Sequence, residues 1–581
     1  MELRPISALA PHGRIRPWML PLTVALLAVA ASISGILNQY AQDDIPIIGT
    51  NAAVHSLGGI GKLFVQSYWP PPYAQGLYRP FTLTSLALQW AAGGGSPLIL
   101  RLVSYGLYAA ASVGVFFLAR LLLPAGVAGA VAALFAVHPV HVEAVAVAVN
   151  QGELWVGLLC CVAVILYVRE RRRGGPIPVR SELILAGLYL AACLFKETAL
   201  VLPGLLVLAE ILLVPSIEPL AVRISRVRRL LLVLLLVGTA FMGVRTRVMR
   251  GNLAGTFTAE GLVDLTVNQR AITMLSVVPE WFRLLLWPAH LQADYSPGEI
   301  VGQTSWGPAQ TLGLALLVAA VVAATLARRR APAICFGIGW CAIGLFPVHN
   351  VLVPTGIILA ERTLFLPSIG AMIALGGIGN LIVDRVSPRY HPALVAVLGA
   401  LLMLGTWRST TRHSMWLDQW TIWSRTAEED APRSYRAHEF MAQAYYDIGQ
   451  ERMAEQEYRL AIQFSPPKLT GPRSSLADKL RSRGFSYPAA QLYREIVRAR
   501  PNHSAARLAL GACLVNLGLY REAMFHARMG ISFEWELAAF RTILGTADSA
   551  LRVSAPPGTV RVPVAHADSA AAALLRVGTG K

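Results

Sequence analysis

Charge is what this 581-residue chain has least of: Asp, Glu, Lys and Arg make only 14% of it, with 33 acids against 51 lysines and arginines. With 55% hydrophobic residues and a mean hydropathy of +0.52, that scarcity excludes a soluble globule and describes a polytopic membrane protein. Cysteine is scarce too. Of six, Cys160, Cys161, Cys193, Cys335 and Cys341 lie in apolar runs and Cys513 stands alone in the polar C-terminal region, so no disulfide framework or zinc spacing exists. The net charge of +18 would suit nucleic acid, but the arginines sit at the ends of apolar runs, where the positive-inside rule puts them. Nucleic acid is therefore not an expected partner.

What is present is a series of apolar runs of spanning length, near 18–38, 98–122, 125–148, 152–168, 181–197, 198–215, 229–247, 309–327, 332–349, 363–383 and 391–407. The first, from about Trp18 to Leu37, is longer than a signal-peptide core and lacks a small-x-small cleavage site, so it reads as a retained transmembrane helix. The basic start (Arg4, Arg14, Arg16) puts the N-terminus in the cytoplasm. Further clusters at Arg169–Arg173, Arg223–Arg229, Arg328–Arg330 and Asp384–Arg389 then follow the fourth, sixth, eighth and tenth runs, all cytoplasmic exits. Eleven crossings send everything after Trp407 to the outer side, together with a first outer loop at 39–97. The stretch 271–287, apolar but carrying Glu280 and Arg283, reads as a re-entrant or interfacial helix.

After Trp407 a period emerges. "AQAYYDIGQERMAEQEYRLAIQFSP", "ADKLRSRGFSYPAAQLYREIVRARP" and "GACLVNLGLYREAMFHARMGISF" align with Gly449, Gly484 and Gly518 in register, as do Ala454, Ala489 and Ala523, at spacings of 35 and 34 residues. Pro466 and Pro501 close the first two units. This is the tetratricopeptide (TPR) signature of stacked helix pairs, which serves either an assembly surface or a polypeptide groove. A helix is predicted from about Glu534 to Ser549, and the Ala-, Pro-, Gly- and Val-rich tail from Ser554 onward is expected to be mobile.

The expected topology gathers polar residues on the outer face. "QDDIPII" supplies Asp43 and Asp44, followed by Asn51, His55 and Arg79. "HPVHVEAVAVAVNQGE" supplies His138, His141 and Glu143, "LFKETA" Lys196 and Glu197, and "FPVHNVLVPTGIILAERTLFLPSIG" His349, Asn350, Glu361 and Arg362. Ionisable groups at membrane depth mark pathways or sites, and one-sided placement argues for one outward cavity. Each has a plainer alternative: the acid pair as a solvated turn, and Lys196 with Glu197, or Glu361 with Arg362, as self-neutralising neighbours. His138, His141 and Glu143 invite a metal reading, but Pro139 intervenes and no third-ligand motif follows.

"HPVHVEAV", "FKETA", "YRPFT" and "NVLVPTGIILAERTLFLPSIG", behind an Asp-Asp loop and ahead of TPR repeats, resemble the transmembrane and tetratricopeptide-containing O-mannosyltransferases of the GT-C glycosyltransferase superfamily. The resemblance runs in the same order to about residue 530. Two departures stand out: this chain has about three repeats where eukaryotic members carry many more, and it reads "NQGELW" where an Arg or Asp variant is commoner. The resemblance implies an all-α fold, a GT-C-type transmembrane domain over 1–407 followed by a linker (408–433), a short TPR solenoid (434–533) and a terminal helix and tail (534–581). It also implies transfer of a hexose, such as mannose, from a polyprenyl-phosphate carrier to an acceptor on the outer side, with the catalytic acid in the first outer loop at Asp43 or Asp44.

A lipid-linked donor dissolves in the bilayer, and cleaving its sugar–phosphate bond leaves a phosphate that needs fixed cations; Lys196, Arg362 and then Arg79 are expected there. Glu361, His138, His141, Glu143, Glu197 and Asn350 complete the expected donor site. A Ser or Thr hydroxyl needs a carboxylate to take its proton, and a single displacement inverts the sugar. The scheme requires no cofactor, and a divalent metal is compatible with it. Expected partners are membrane lipid, the lipid-linked sugar and an acceptor polypeptide, with the TPR groove as a docking place. Rival readings are a GT-C enzyme acting on a lipid or glycan and a non-catalytic TPR scaffold; a transporter is disfavoured because no inverted repeat is evident. Alanine- and arginine-rich usage with few lysines points to a high-GC bacterium, hence its inner membrane.

Overall fold

A computed structural model describes residues 16–554 except 72, 74, 75, 175, 216, 217, 252–257, 534 and 535. Arg4, Arg14 and the tail beyond Ser554 lie outside the described residues. Among those described, every regular element is a helix. They form two compact units divided between Pro432 and Arg433.

Among the described residues of the first unit, six helices are long and apolar enough to cross a membrane: Pro97–Ala119, Ala148–Arg172, Ala221–Val248, Pro308–Ala327, Glu361–Arg385 and Pro388–Trp416. A seventh crossing results if Ala125–Ala136 and Pro139–Ala146, bent by 48°, act as one span. The protein is thus a multi-pass membrane protein. The other four expected runs fold as shorter apolar helices: Met19–Ser32, Val179–Phe195, Leu202–Leu213 and Pro332–Leu345. Val179–Phe195 has 17 residues, a rise of about 26 Å, close to the thickness of a hydrocarbon core.

The breaks between these helices have identifiable causes. At 136–139, Pro139 cannot continue a helix and His138 accepts the N–H of Val140 at 3.3 Å, starting a new turn. At Lys196 the backbone is extended (φ −159°, ψ 138°), and Pro203 sits in the first turn of the following helix. Asn350 adopts left-handed backbone (φ 56°) and holds its own loop, its amide donating to the carbonyls of Ile357 at 3.0 Å and Val348 at 3.2 Å. Glu143, Lys196, Glu197, Glu361 and Arg362 all lie at such interruptions. Irregular backbone is tolerated at membrane depth only where protein or a cavity surrounds it, so charged side chains and helix breaks coincide.

The stretch expected to be re-entrant or interfacial is a 20-residue helix, Val267–Leu286, with Pro279 inside it. It buries one face through Thr273, Met274, Val277, Val278, Trp281, Leu284 and Leu285 and pairs Glu280 with Arg283.

In the second unit, helix pairs Tyr435–Asp447 with Glu451–Phe464, Gly471–Ser482 with Ser486–Ala499, and Ser504–Asn516 with Tyr520–Ile531 each enclose a three-residue turn. Gly449, Gly484 and Gly518 sit at the centres with φ of 77°, 84° and 72°. Gln450, Phe485 and Leu519 then donate to the carbonyls of Tyr445, Leu480 and Leu514 at 2.8–2.9 Å, the same Schellman closure three times. A last helix, Leu537–Ser554, packs on this series, starting and ending slightly later than expected.

Pro332–Leu345 and Phe365–Arg385 pack through glycine contacts. A Cβ on Gly370 would stand 2.4 Å from the Gly337 carbonyl oxygen and 2.8 Å from the Cys341 nitrogen, so the backbones meet only because both residues are glycine. This contact fixes the helix that follows Glu361 and Arg362. Gly370→Ala is expected to destabilise the protein by about 1–3 kcal/mol through overpacking, whereas Gly379→Ala, where a Cβ meets nothing within 4 Å, leaves it unchanged. Thermal melts of the two variants in detergent check this; equal melting temperatures would contradict it.

Candidate active site

The adjacent acids of "QDDIPII" part company in the fold. The Asp44 carboxylate accepts the backbone N–H of Val149 at 2.9 Å and of Ala148 at 3.1 Å and faces Arg101 at 3.5 Å, both side chains being 1% exposed. Arg101, from the Pro97–Ala119 helix, also donates to the carbonyls of Gln39 at 2.7 Å, Asn38 at 3.5 Å and Ala146. Burial pushes the Asp44 carboxyl above the usual range; Arg101 and the two amides pull the other way. Asp44 therefore ties the first loop to the backbone just ahead of the Gln151–Arg172 helix.

Asp43 is half-buried, and among the described residues its carboxylate makes no hydrogen bond or ion pair. Gln42, in left-handed backbone (φ 49°), turns the chain ahead of it and donates its N–H to Gln419 Oε1 at 2.5 Å. Asp43 lies within electrostatic reach of Arg362 and of Tyr68. Asn51 caps a short turn, and His55 stacks on Trp90 at 3.7 Å while bonding the Ile48 carbonyl, so both serve the loop.

Facing Asp43 is a chain of ion pairs that the sequence neighbours do not make with each other. Glu143 takes both the backbone N–H of Arg362 (2.8 Å) and its guanidinium. Lys196 bonds Glu153 at 2.5 Å, and Arg79 grips Glu197 through Nε at 3.0 Å and Nη2 at 2.6 Å. Glu361 turns away to the backbone N–H of Gln292 (2.6 Å), the Tyr295 hydroxyl (3.1 Å) and Arg412 (3.9 Å). The self-neutralising alternative is thereby corrected: extended or 3₁₀ backbone points adjacent side chains in different directions, and each finds a partner on another element.

Glu153 also acts electrostatically on Arg362 and Arg79, and Glu197 on Lys196 and Arg245, so the pairs form one cluster. Asp43, Arg362, Glu143, Lys196, Glu197 and Arg79 come together. Asn350 and Glu361 are engaged in holding loops.

His138 and His141 diverge from Glu143. His138 bonds the Leu285 carbonyl at 3.2 Å; His141 meets Ser368 at 2.7 Å and Tyr108 at 3.0 Å. Both line a cavity of only about 10 Å³ with Ser32, Tyr108, Ser409 and His413, in which no member of the ion-pair cluster takes part. The three do not converge on a common point where a metal would sit. Phe346 stacks on His349 at 5.0 Å, outside the cluster.

The chain is 23% identical over 547 residues to the mouse protein O-mannosyl-transferase TMTC3, covering 82% of this chain and 59% of that protein. It is 24% identical to the Caenorhabditis elegans protein O-mannosyl-transferase F38B6.6 (77% and 62%) and 25% identical to mouse TMTC4 (75% and 65%). The chain is similar to protein O-mannosyl-transferases. It spans about three fifths of the length of these relatives. No protein-family model matches it.

Beside the stretches that resemble the O-mannosyl-transferases, the cluster holds residues that sequence reasoning passed over, Glu153, Arg245 and Tyr68, and Arg101 beside Asp44 was passed over too. Arg101 and Arg245 lie inside the expected runs 98–122 and 229–247, and an ionisable residue in such a run is itself the signal that could have found them. Glu153 stands in "NQGELW", two residues before Trp155.

Asp44→Asn replaces the carboxyl that accepts from two amides and faces Arg101 with an amide, in which one oxygen is exchanged for an NH₂ donor. It is expected to lower accumulation and melting temperature, as is Arg101→Met, whereas Asp43→Asn leaves both unchanged. Fluorescence-detected size-exclusion profiles and melts of the three variants test the division; a destabilised Asp43→Asn would contradict it.

Proposed function

We propose that the protein is a GT-C-type membrane glycosyltransferase that moves a hexose, mannose by resemblance, from a polyprenyl-phosphate carrier to a Ser or Thr hydroxyl of a polypeptide. The observation that carries this reading is the unengaged Asp43 carboxylate beside a cluster of cations. Similarity to the O-mannosyl-transferases supports the reaction type and a protein acceptor.

Asp43 takes the proton of the acceptor hydroxyl as its oxygen attacks the anomeric carbon. The bond from that carbon to the carrier phosphate breaks, and the phosphate leaves with the bonding electrons. Arg362, Lys196 and Arg79 face the developing charge. Their ion pairs hold them ready for it. Glu143 and Glu197 fix two guanidiniums in place, Arg79 being bound through Nε and Nη2, so that both are oriented before a phosphoryl oxygen arrives. One base and one displacement give inversion. These residues carry the scheme without a cofactor.

The finer organisation belongs to the same proposal. Eleven crossings, counting the shorter apolar helices, put the N-terminus in the cytoplasm and the acids, the cation cluster and the second unit outside, in the periplasm of a bacterial inner membrane. The three Schellman-closed helix pairs at a 34–35-residue period support a TPR solenoid there, suited to presenting an extended acceptor chain.

Asp43→Asn is expected to reduce transfer at least about 10³-fold, in line with the loss of a positioned general base, while the variant inserts and accumulates as wild type does. Mass spectrometry of acceptor peptides incubated with purified protein and lipid-linked hexose reads this. Full transfer by the variant would sink the assignment.

A further inference from the structure

Tyr68 presents a buried phenol whose oxygen the fold leaves over. The residue is only 2% exposed, and among the described residues its hydroxyl makes no hydrogen bond of ordinary geometry, although Arg79 approaches closely enough to act on it as a donor. Buried hydroxyls that are not bonded are rare in native folds and call for an explanation. The position is rigid. Tyr68 donates its backbone N–H to Leu77 at 2.7 Å, Tyr78 closes the same loop by donating its hydroxyl to the Phe64 carbonyl at 3.0 Å, and Trp69 stands edge-on to the Tyr68 ring at 6.3 Å.

The surroundings are those of the proposed reaction. Arg79 lies over the ring, 5.1 Å from its centroid, with Nε and Nη2 committed to Glu197, and Asp43 is within electrostatic reach. Two more buried polar atoms without partners among the described residues belong to the segments that carry Glu153, Lys196 and Glu197. Thr198 Oγ1 follows Glu197 directly in the chain, and Trp155 Nε1 belongs to a ring stacked at 4.6 Å on Phe195, just before Lys196. A prenyl chain offers such atoms nothing, whereas a hexose carries several hydroxyls that accept and donate. Burial pushes the Tyr68 phenol up, with Asp43 and Asp44 adding and Arg79 opposing, so it remains a neutral O–H donor.

We propose that the Tyr68 hydroxyl hydrogen-bonds a ring hydroxyl of the donor's hexosyl group, making this residue a determinant of sugar recognition at the Asp43 site. The inference rests on the lipid-linked donor reading above. It predicts that the protein binds a sugar-bearing carrier more tightly than a bare one, and that much of the difference passes through this oxygen.

Tyr68→Phe removes that oxygen alone and keeps the ring over Arg79. Full-length wild type and Tyr68→Phe, reconstituted in nanodiscs, are titrated with short-chain polyprenyl-phosphate mannose, glucose and galactose and with sugar-free polyprenyl phosphate. The expected result is an unchanged melting temperature, about tenfold weaker binding of the preferred sugar-bearing carrier by the variant, and equal binding of the sugar-free carrier by both proteins. Equal affinity of both proteins for the preferred carrier overturns the inference and leaves the donor reading standing. An equal loss for sugar-bearing and sugar-free carriers assigns Tyr68 to the phosphate and overturns it too. A wild type that prefers none of the sugar-bearing carriers over the sugar-free one removes the donor reading, and the inference with it.

Discussion

A carboxylate taken out of water has to be neutralised where it sits, and Asp44 meets that demand with two backbone amides and the guanidinium of Arg101. Much of this end of the first unit hangs on the contact. Arg101 also holds the carbonyls of Asn38, Gln39 and Ala146, so one buried pair joins the first loop, the Pro97–Ala119 helix and the chain entering the Gln151–Arg172 helix. With Asp44 held inward and Gln42 turning the backbone, its neighbour is left with a carboxylate that no protein group occupies among the described residues. Two identical side chains at consecutive positions thereby have opposite characters, one a structural acceptor and the other available for chemistry.

The same demand organises the ions facing Asp43. Arg79, Lys196, Arg245 and Arg362 are set against Glu143, Glu153 and Glu197, and Asp43 is the fourth acid of the group. A cluster so balanced can stay folded at membrane depth without a ligand, whereas an isolated set of cations could not. Under the donor reading proposed above, a phosphate would share donors that the glutamates already orient, lowering the reorganisation needed when charge develops. At the opposite ends of the same helices Glu210 collects Arg171, Arg223 and the Tyr167 hydroxyl, a fully engaged cluster with the character of a structural lock.

Much of this was legible in the chain. The apolar runs and arginine clusters outlined the helices, and the Gly449, Gly484 and Gly518 period anticipated three turns of one geometry. The polar breaks "HPVHVEAV", "FKETA" and "AERTLF" named four residues of the cluster, Glu143, Lys196, Glu197 and Arg362. Partners were not legible. Lys196 beside Glu197, and Glu361 beside Arg362, suggest local neutralisation, but periodicity carries no information on side-chain direction where the backbone leaves the helix. Arg101, Arg245 and Tyr68 were passed over because a single polar residue within an apolar or aromatic stretch does not disturb a hydropathy pattern. The roles of Asp43 and Asp44 could not be separated by sequence at all, since the difference lies in which amides the Ala148–Val149 backbone points at them.

Catalysis as proposed stands or falls on Asp43 acting once, as a base, on an acceptor oxygen opposite the departing phosphate. The most direct measurement is the anomeric configuration of the product, read by NMR of a Ser/Thr peptide glycosylated by purified full-length protein from a polyprenyl-phosphate hexose of defined configuration. A single displacement predicts inversion in every product molecule. Retention of the donor's configuration, which requires two successive displacements, would contradict it.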